Sequence, residues 1–298
     1  AMSGKEEVRQ FLMSRRAGLT PAEAGIPVVK DAAGTFGDTI LALEPEVVVD
    51  LVCFTSESAT ALVEALRGRV GHLVHCGSIW RYGASRKLPI AEGIDSAGAP
   101  FDEYGIQKAA IARMLKEETA SGGLVTTSIH PGHIVGPGWH PTGPLGNTDP
   151  AVWRLLSSGG VITLPGSGAE TLHHVHADDV AQAFELAVER RDTAAGEDFN
   201  IVAPTALSVR GYVEIASAWF GQAATLRSVT RDDYRASTTE EYAQESWGHL
   251  HRSHVFTTEK ARALLGYAPA YEPERAVLES VRWLIDHDRL DVARPLQV

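Results

Sequence analysis

The sequence predicts an α/β protein, a doubly wound parallel sheet with a smaller C-terminal lobe. Three observations carry that expectation. Val47 to Phe54 (VVVDLVCF) is a nearly continuous, β-branched apolar run of the kind that suits a parallel strand covered on both faces. Strand-like and helix-like segments then alternate as far as His130, which makes βαβ units. The chain has 298 residues, 44% of them hydrophobic and 22% charged, so it can bury a sizeable core and sits at the upper edge of what one core supports.

In chain order, Val8 to Met13 (VRQFLM) and Ile26 to Lys30 (IPVVK) read as short strands ahead of the Val47 run. Ser56 opens a helix with Leu62, Val63 and Leu66 at helical spacing, and Gly71 to Cys76 (GHLVHC) returns as a strand. Tyr104 to Glu118 is a helix whose stripe is Ile106, Ala110, Ile111, Met114 and Leu115. Gly122 and Gly123 stop it before a strand from Leu124 to His130. After Pro131 comes a loop rich in Gly and Pro, then a helix from Ala151, a strand from Val161 to Pro165 and a helix from Asp178 to Glu189. From about Leu207 the chain reads as helical, with a break at Ala268-Pro269. The expected core is residues 1–135, and 136–298 is mainly a lobe interleaved with the last core elements. Ligands of such sheets bind at the carboxyl ends of the strands.

Composition excludes several classes. The 27 basic and 38 acidic residues give a net charge of −11, which argues against nucleic acid or an anionic membrane as a general partner. Cys53 and Cys76 are the only cysteines, so neither a disulfide framework nor a cysteine zinc site is expected. No stretch approaches the roughly 18 apolar residues of a membrane span, and the N-terminus has no apolar signal region. The chain therefore reads as a soluble, cytoplasmic protein.

Two constellations carry chemistry. Tyr104 and Lys108, four apart on a helix, share a face a turn apart, where a cation can stabilise a phenolate and bring it into range as a base; taken alone, such a pair also fits an ordinary surface contact. Ser78, at the end of the Gly71 to Cys76 strand, presents a hydroxyl at the sheet's carboxyl edge, or simply caps a turn.

The order of these features, with Tyr82-Gly83 after Ser78 and His130-Pro131 and Val135-Gly136-Pro137-Gly138 further on, resembles the extended short-chain dehydrogenase/reductases, the NAD-dependent epimerase/dehydratase family. His174-Val175-His176-Ala177-Asp178-Asp179-Val180-Ala181 and Leu265-Gly266-Tyr267-Ala268-Pro269 are similar to further segments of that family. The resemblance implies a Rossmann-like fold and a catalytic triad of Ser78, Tyr104 and Lys108. Tyr104 would be the acid/base, Lys108 would hold ribose hydroxyls and lower the tyrosine pKa, and Ser78 would orient the substrate oxygen. It also implies NAD or NADP, with Asp31 near adenine, Phe54 near the middle of the cofactor, and Tyr104, Lys108 and Pro131 near the nicotinamide riboside. Ser14 and Arg15 fall where an acidic residue would bind the adenosine 2′-hydroxyl, and an arginine there suits a 2′-phosphate.

One departure matters. The family opens with a strand and helix joined by a glycine-rich pyrophosphate loop, and no such loop occurs here. Three readings follow: the segment is omitted from the sequence, it is lost and the sheet closes otherwise, or a partner chain lends a strand. The pocket candidates are Trp80, His133, Trp139, Asn147, His176 and Arg252, while Trp153, Trp219 and Trp283 read as core. No metal is expected from the histidine spacings. The function that follows is an NAD(P)-dependent epimerase, dehydratase or reductase acting on a hydroxylated small molecule, with a nucleotide-activated sugar as the expected substrate and a homodimer as an expectation of the resemblance. The alternatives are a cofactor-free isomerase or lyase, and a catalytically silent binding protein on the same scaffold.

Overall fold

The structure is a computed structural model that describes residues 36–93 and 97–298. The expected strands at 8–13 and 26–30, and Ser14, Arg15 and Asp31, lie outside the described residues. A short helix α1 (Phe36–Leu41) precedes β1 (Val47–Asp50), α2 (Ser56–Leu66), β2 (His72–Cys76), α3 (Glu103–Ala120) and β3 (Thr126–Pro131). Then follow β4 (His133–Val135), α4 (Ala151–Ser158), β5 (Val161–Pro165), β6 (Thr171–Leu172), β7 (His174–His176), α5 (Ala177–Glu189), α6 (Arg191–Ala194) and β8 (Asp198–Ile201). The chain ends with β9 (Leu207–Ser208), α7 (Val209–Trp219), β10 (Thr225–Val229), α8 (Arg231–Ser237), α9 (Glu240–Leu250), α10 (Glu259–Leu265) and α11 (Pro273–Asp286).

The main sheet runs β1-β2-β3-β8 and every pairing in it is parallel. Its two faces are covered by different helices. Val48 and Leu73 pack on Leu62, Val63 and Leu66 of α2 and on Ile111 and Leu115 of α3. Val74, Ile129 and Phe199 face Val180, Ala183 and Phe184 of α5 and Ala261 and Leu265 of α10. The chain is thus doubly wound, and each strand needs apolar residues on both faces. Gln107 docks α2 on α3, its amide oxygen accepting from the Ser56 N–H and hydroxyl at 2.7 Å each. A third core lies in the C-terminal lobe, where α4, α7 and α11 pack together and Trp153 stacks on Trp219 at 6.4 Å. No described helix is long and apolar enough to cross a membrane.

Three elements differ from the sequence reading, each for a local reason. The Val47 strand stops at Asp50 rather than Phe54, because the Asp50 carboxylate accepts from the N–H groups of Val52 and Cys53 at 2.9 and 3.0 Å and turns the chain out of the ladder. The fourth sheet strand, β8, is an Asp-Phe-Asn-Ile segment whose alternation of polar and apolar residues lasts only four positions, too short to mark it as a strand. The region after Leu207 is not wholly helical: β10 pairs in parallel with β5, and its mostly exposed residues give no apolar signal.

Candidate active site

At the carboxyl end of β2, Ser78 caps a single 3₁₀ turn, Ile79–Arg81, its hydroxyl accepting from the Trp80 N–H at 3.1 Å. Glycine is required just before it: a Cβ on Gly77 would sit 2.1 Å from His130 Nδ1. The bare backbone lets the His130 ring come in close, and Nδ1 accepts from the Ser78 N–H at 3.1 Å.

The helix bearing Tyr104 is started by Asp102, whose carboxylate accepts from the Gly105 N–H at 2.8 Å. Gly105 has its own reason, because a Cβ there would lie 2.4 Å from the Trp80 carbonyl oxygen. Its absence seats the first turn of α3 on the turn after Ser78. The Tyr104 phenol, in a side chain 40% exposed, is thereby brought to face the Ser78 hydroxyl. Burial raises the Tyr104 pKa above its ordinary value, the Ser78 hydroxyl pulls it down, and the nearby Cys76 thiol and Asp102 carboxylate oppose ionisation.

Lys108 is 2% exposed. Its ammonium donates to the carbonyl oxygens of Cys53 and Cys76, both at 2.8 Å, and so ties together the carboxyl ends of β1 and β2. It lies 4.9 Å from the centre of the Phe54 ring and 5.9 Å from that of Tyr104. Two of its three N–H donors are thereby spent. Burial lowers its pKa, against the pull of Cys76, Asp50 and Cys53.

Behind Lys108 stands a pair the sequence reading did not find. His75 Nδ1–H donates to Asp50 Oδ2 at 2.6 Å, adjacent in register on β2 and β1. Burial pushes the Asp50 carboxyl up, but the hydrogen bonds from His75 and from the two amides outweigh it and hold the pKa at about 2. Burial keeps His75 neutral. Beneath Ser78, the His130 ring also meets Arg81 Nη1 at 2.8 Å. Arg81 pairs with Asp198 and donates to the Tyr82 hydroxyl at 2.8 Å, and Lys260 holds the Asp198 carbonyl at 2.8 Å and Glu197 at 2.7 Å. A neutral imidazole has one lone pair, and His130 faces two donors, so its contacts with Ser78 and Arg81 compete.

The pocket candidates divide. Trp80 lies 6.2 Å from Tyr104 and 4.9 Å from His249 between ring centres, and Arg252 is 3.9 Å over its ring. His133, with its Nδ1–H on the His173 carbonyl at 3.2 Å, stands 5.0 Å from His249 and 5.5 Å from His174, so it meets the Tyr104 group through His249 and Trp80. Trp139 is exposed, and its carbonyl accepts from the Ser280 hydroxyl on α11 at 2.8 Å. Asn147 is buried, its amide donating to the hydroxyls of Tyr234 and Ser246 at 3.0 Å each. His176 caps α5, accepting from the Asp178 N–H at 3.0 Å, and stacks on Tyr271 at 3.7 Å. Pro131, buried, closes β3 opposite Ile201, and Phe54 is 54% exposed at the end of β1. Ser78, Trp80, Tyr104, Lys108, Phe54 and Arg252 are thus brought together, whereas Trp139, Asn147 and His176 are engaged within the lobe. Among the described residues no group of three His, Cys, Asp or Glu side chains is arranged to hold a metal ion. Asp102 and His249 were missed. An aspartate directly before a helix is a readable cap signal, whereas nothing local marks His249.

The sequence pattern of the NAD dependent epimerase/dehydratase family matches residues 50–202, just over half of the chain and the stretch that carries Ser78, Tyr104 and Lys108. The chain belongs to that family. No curated protein matches it significantly. Among solved structures it is similar to a UDP-glucose 4-epimerase from Stenotrophomonas maltophila holding NAD and formylated UDP-arabinopyranose, at TM-score 0.68 and 18% identity over 95% of this chain and 87% of that one. It is similar to an epimerase from the methanogen Methanothermobacter thermautotrophicus, at TM-score 0.67 and 17% identity over 94% and 89%. An RMD protein from Pseudomonas aeruginosa complexed with NADPH follows, at TM-score 0.66 and 15% identity over 94% and 95%. At such identities the likeness is one of fold, and it agrees with the doubly wound sheet of this family member.

Proposed function

We propose that the protein is an NAD(P)-dependent oxidoreductase of the epimerase, dehydratase or reductase kind, acting on a hydroxyl of a nucleotide-activated sugar with Tyr104 as the acid/base. The observation that carries this reading is the meeting of the Ser78 hydroxyl, the Tyr104 phenol and the Lys108 ammonium at the carboxyl ends of adjacent parallel strands. Ligands of open α/β sheets bind at that edge.

The residues present fit the riboside half of such a cofactor. Val52 and Phe54, 67% and 54% exposed, follow the end of β1, and Lys108 lies against the Phe54 ring. Phe54 and Pro131 would hold the nicotinamide end of the cofactor, and Tyr104 and the N–H that Lys108 has not spent would hold its ribose hydroxyls. The bound cofactor supplies the hydride acceptor that turns an unreactive alcohol into a ketone. The chain's own part is proton transfer. Ser78 donates to the substrate oxygen and fixes it beside Tyr104, and the phenolate takes the hydroxyl proton. Burial works against that phenolate, and the one Ser78 proton is spent on the substrate oxygen, so the fixed charge of Lys108 must stabilise it. The NAD and NADPH held by the similar structures, and the UDP sugars among their ligands, support the cofactor and substrate class.

Thermal shift with NAD, NADP and their reduced forms tests the cofactor. One dinucleotide at a hundredfold excess over its Kd adds about 2.7 kcal/mol, and stabilisation by none of the four defeats the proposal. Assays on UDP-glucose, UDP-galactose and UDP-glucuronic acid then test the substrate class, with Tyr104→Phe expected to keep the cofactor-induced shift and lose turnover.

A further inference from the structure

We propose that Arg252 is a positioning residue: packed between Trp80 and Phe101 and paired with Asp102, it clamps the turn after Ser78 against the first turn of α3 and so sets the contact between Ser78 and Tyr104. The inference rests on the reading above, in which those two side chains move the proton.

Arg252 follows α9 and is 1% exposed, so its guanidinium is not free to receive a ligand. Its centre lies 3.9 Å over the Trp80 ring and 4.2 Å over the Phe101 ring, a cation between two aromatic faces. One terminal nitrogen donates to the Gly248 carbonyl and the other to the Asp102 carboxylate. Asp102 uses its second oxygen to cap α3 at Gly105, one residue after Tyr104, and Gly105 rests on the Trp80 carbonyl. The residues around Arg252 are sewn to the same turn: Ser85 donates its N–H and hydroxyl to the Arg252 carbonyl at 3.1 and 2.9 Å, and His254 Nε2–H donates to the Gly83 carbonyl at 2.8 Å. Apart from the bond to Gly248 on α9, each of these contacts ends on the segment after Ser78 or at the start of the Tyr104 helix. A planar cation is what the place demands, since it fills a slot between two rings while its edge meets a carboxylate.

The clamp is tested on the ligand-free protein, through the ionisation of Tyr104 and through amide exchange. The groups facing that phenol are the Ser78 hydroxyl and Cys76 thiol from the β2 end, Asp102 from the start of α3, Lys108 from the next turn of α3, and the rings of Phe54 and Trp80. Ultraviolet difference titration against Tyr104→Phe in each background reads its midpoint. Asp102→Asn keeps a capping side chain but leaves the Arg252 cation unbalanced, so the midpoint falls. Arg252→Met leaves the Asp102 anion unbalanced, so it rises. About half a pH unit in each direction is expected for charges at this range. In both variants peptides covering 78–86 and 101–107 exchange about tenfold faster, as expected for the loss of roughly 1.4 kcal/mol of local stability. Arg252→Lys restores the midpoint but not the slow exchange, because an ammonium cannot fill the slot between the rings.

Shifts of the same sign in the two charge variants, or faster exchange with no shift, would reduce Arg252 to packing and overturn the proposal, as would two variants that match the parent in both readouts. If Arg252→Met does not fold, Asp102→Asn decides alone: a lowered midpoint with faster exchange supports the clamp, and anything else sinks it. Neither readout needs a cofactor or substrate, so a negative result in the dinucleotide test leaves this one readable.

Discussion

On one side of Trp80 stands Tyr104, two-fifths exposed, facing a serine hydroxyl and lying close to a lysine that keeps a donor to spare. On the other side His249, His133 and His174 follow one another at 5.0 and 5.5 Å, with His173 and His254 behind them. All five imidazoles lie with a ring nitrogen on a backbone carbonyl: His133 on that of His173, His173 on Ala203, His174 on Thr142, His249 on Glu245 and His254 on Gly83. Burial pushes the pKa of every one of them down. The wall that is rich in histidine is therefore the one fixed in a single protonation state. The site with no histidine in contact with its phenol is the one with freedom to exchange a proton. Side-chain type alone points to the histidine side of Trp80, whereas solvent access and a spare donor favour the Tyr104 side proposed above.

Acid should produce the largest effect, and it falls on the histidine wall. His173, His174 and His254 titrate at about 4 in the folded chain against an ordinary 6.5. As pH falls, the unfolded chain takes up these protons first. The stability they confer is complete above pH 6.5 and is lost between 6.5 and 4, on the order of 2 kcal/mol per group by pH 5. The thermal midpoint should therefore drop by about 10 °C or more between pH 7 and pH 5, followed by circular dichroism. A midpoint flat across that range would mean that the imidazoles are paired or wet, and the contrast with Tyr104 would disappear.

Turnover should fall next, and on the other side of Trp80. If Tyr104 is the proposed acid/base, Tyr104→Phe should lower kcat about a thousandfold, within the range that general acid–base groups supply. Its effect on the thermal midpoint should be small, because the ring stays and the hydroxyl is not part of the core. Turnover within tenfold of the parent would move the acid/base elsewhere, and the histidine wall would be the first place to look.

Gly77→Ala probes the seam between the two regions. The added methyl would meet a ring held between the Ser78 N–H and Arg81, so neither partner can give way cheaply. A loss of about 2–3 kcal/mol is expected, read by urea denaturation, and a second change, His130→Ala, should return most of it. If the single variant is as stable as the parent, the His130 ring does not sit against Gly77.

How much of this was legible beforehand follows from what each feature depends on. The parallel sheet was, because burial on both faces writes itself as the Val47 run and the alternation after it. The strand end at Ser78 and the helical spacing of Tyr104 and Lys108 are local facts, but they left a turn cap and a surface pair open, and only the family resemblance joined the three residues. The early end of β1 was not, since it turns on which amides the Asp50 side chain captures. Nor were the partners of His75, Arg252 and His133, which join residues 25, 150 and 40 positions apart. Arg252 shows the limit well: a charged residue in a lobe reads as a ligand contact, and only its slot between Trp80 and Phe101 shows that it is spent on the protein itself.

The smallest effect is the one that separates the two regions most sharply. His133→Asn keeps a donor for the His173 carbonyl and removes the other ring nitrogen, the only one that could exchange a proton with a ligand. If the histidine wall is shape rather than chemistry, kcat should stay within about threefold and the pH dependence of kcat/KM should be unchanged. The cost should be confined to KM and about 1 kcal/mol of stability from the lost ring contacts with His174 and His249. A lost limb in the pH profile would be a different matter. It would mean that an imidazole held far below its ordinary pKa in the ligand-free protein takes a proton during turnover, which requires a substrate group that brings negative charge to it. The shared wall of the pocket would then have a second proton-transfer group, and Tyr104 would be half of a pair.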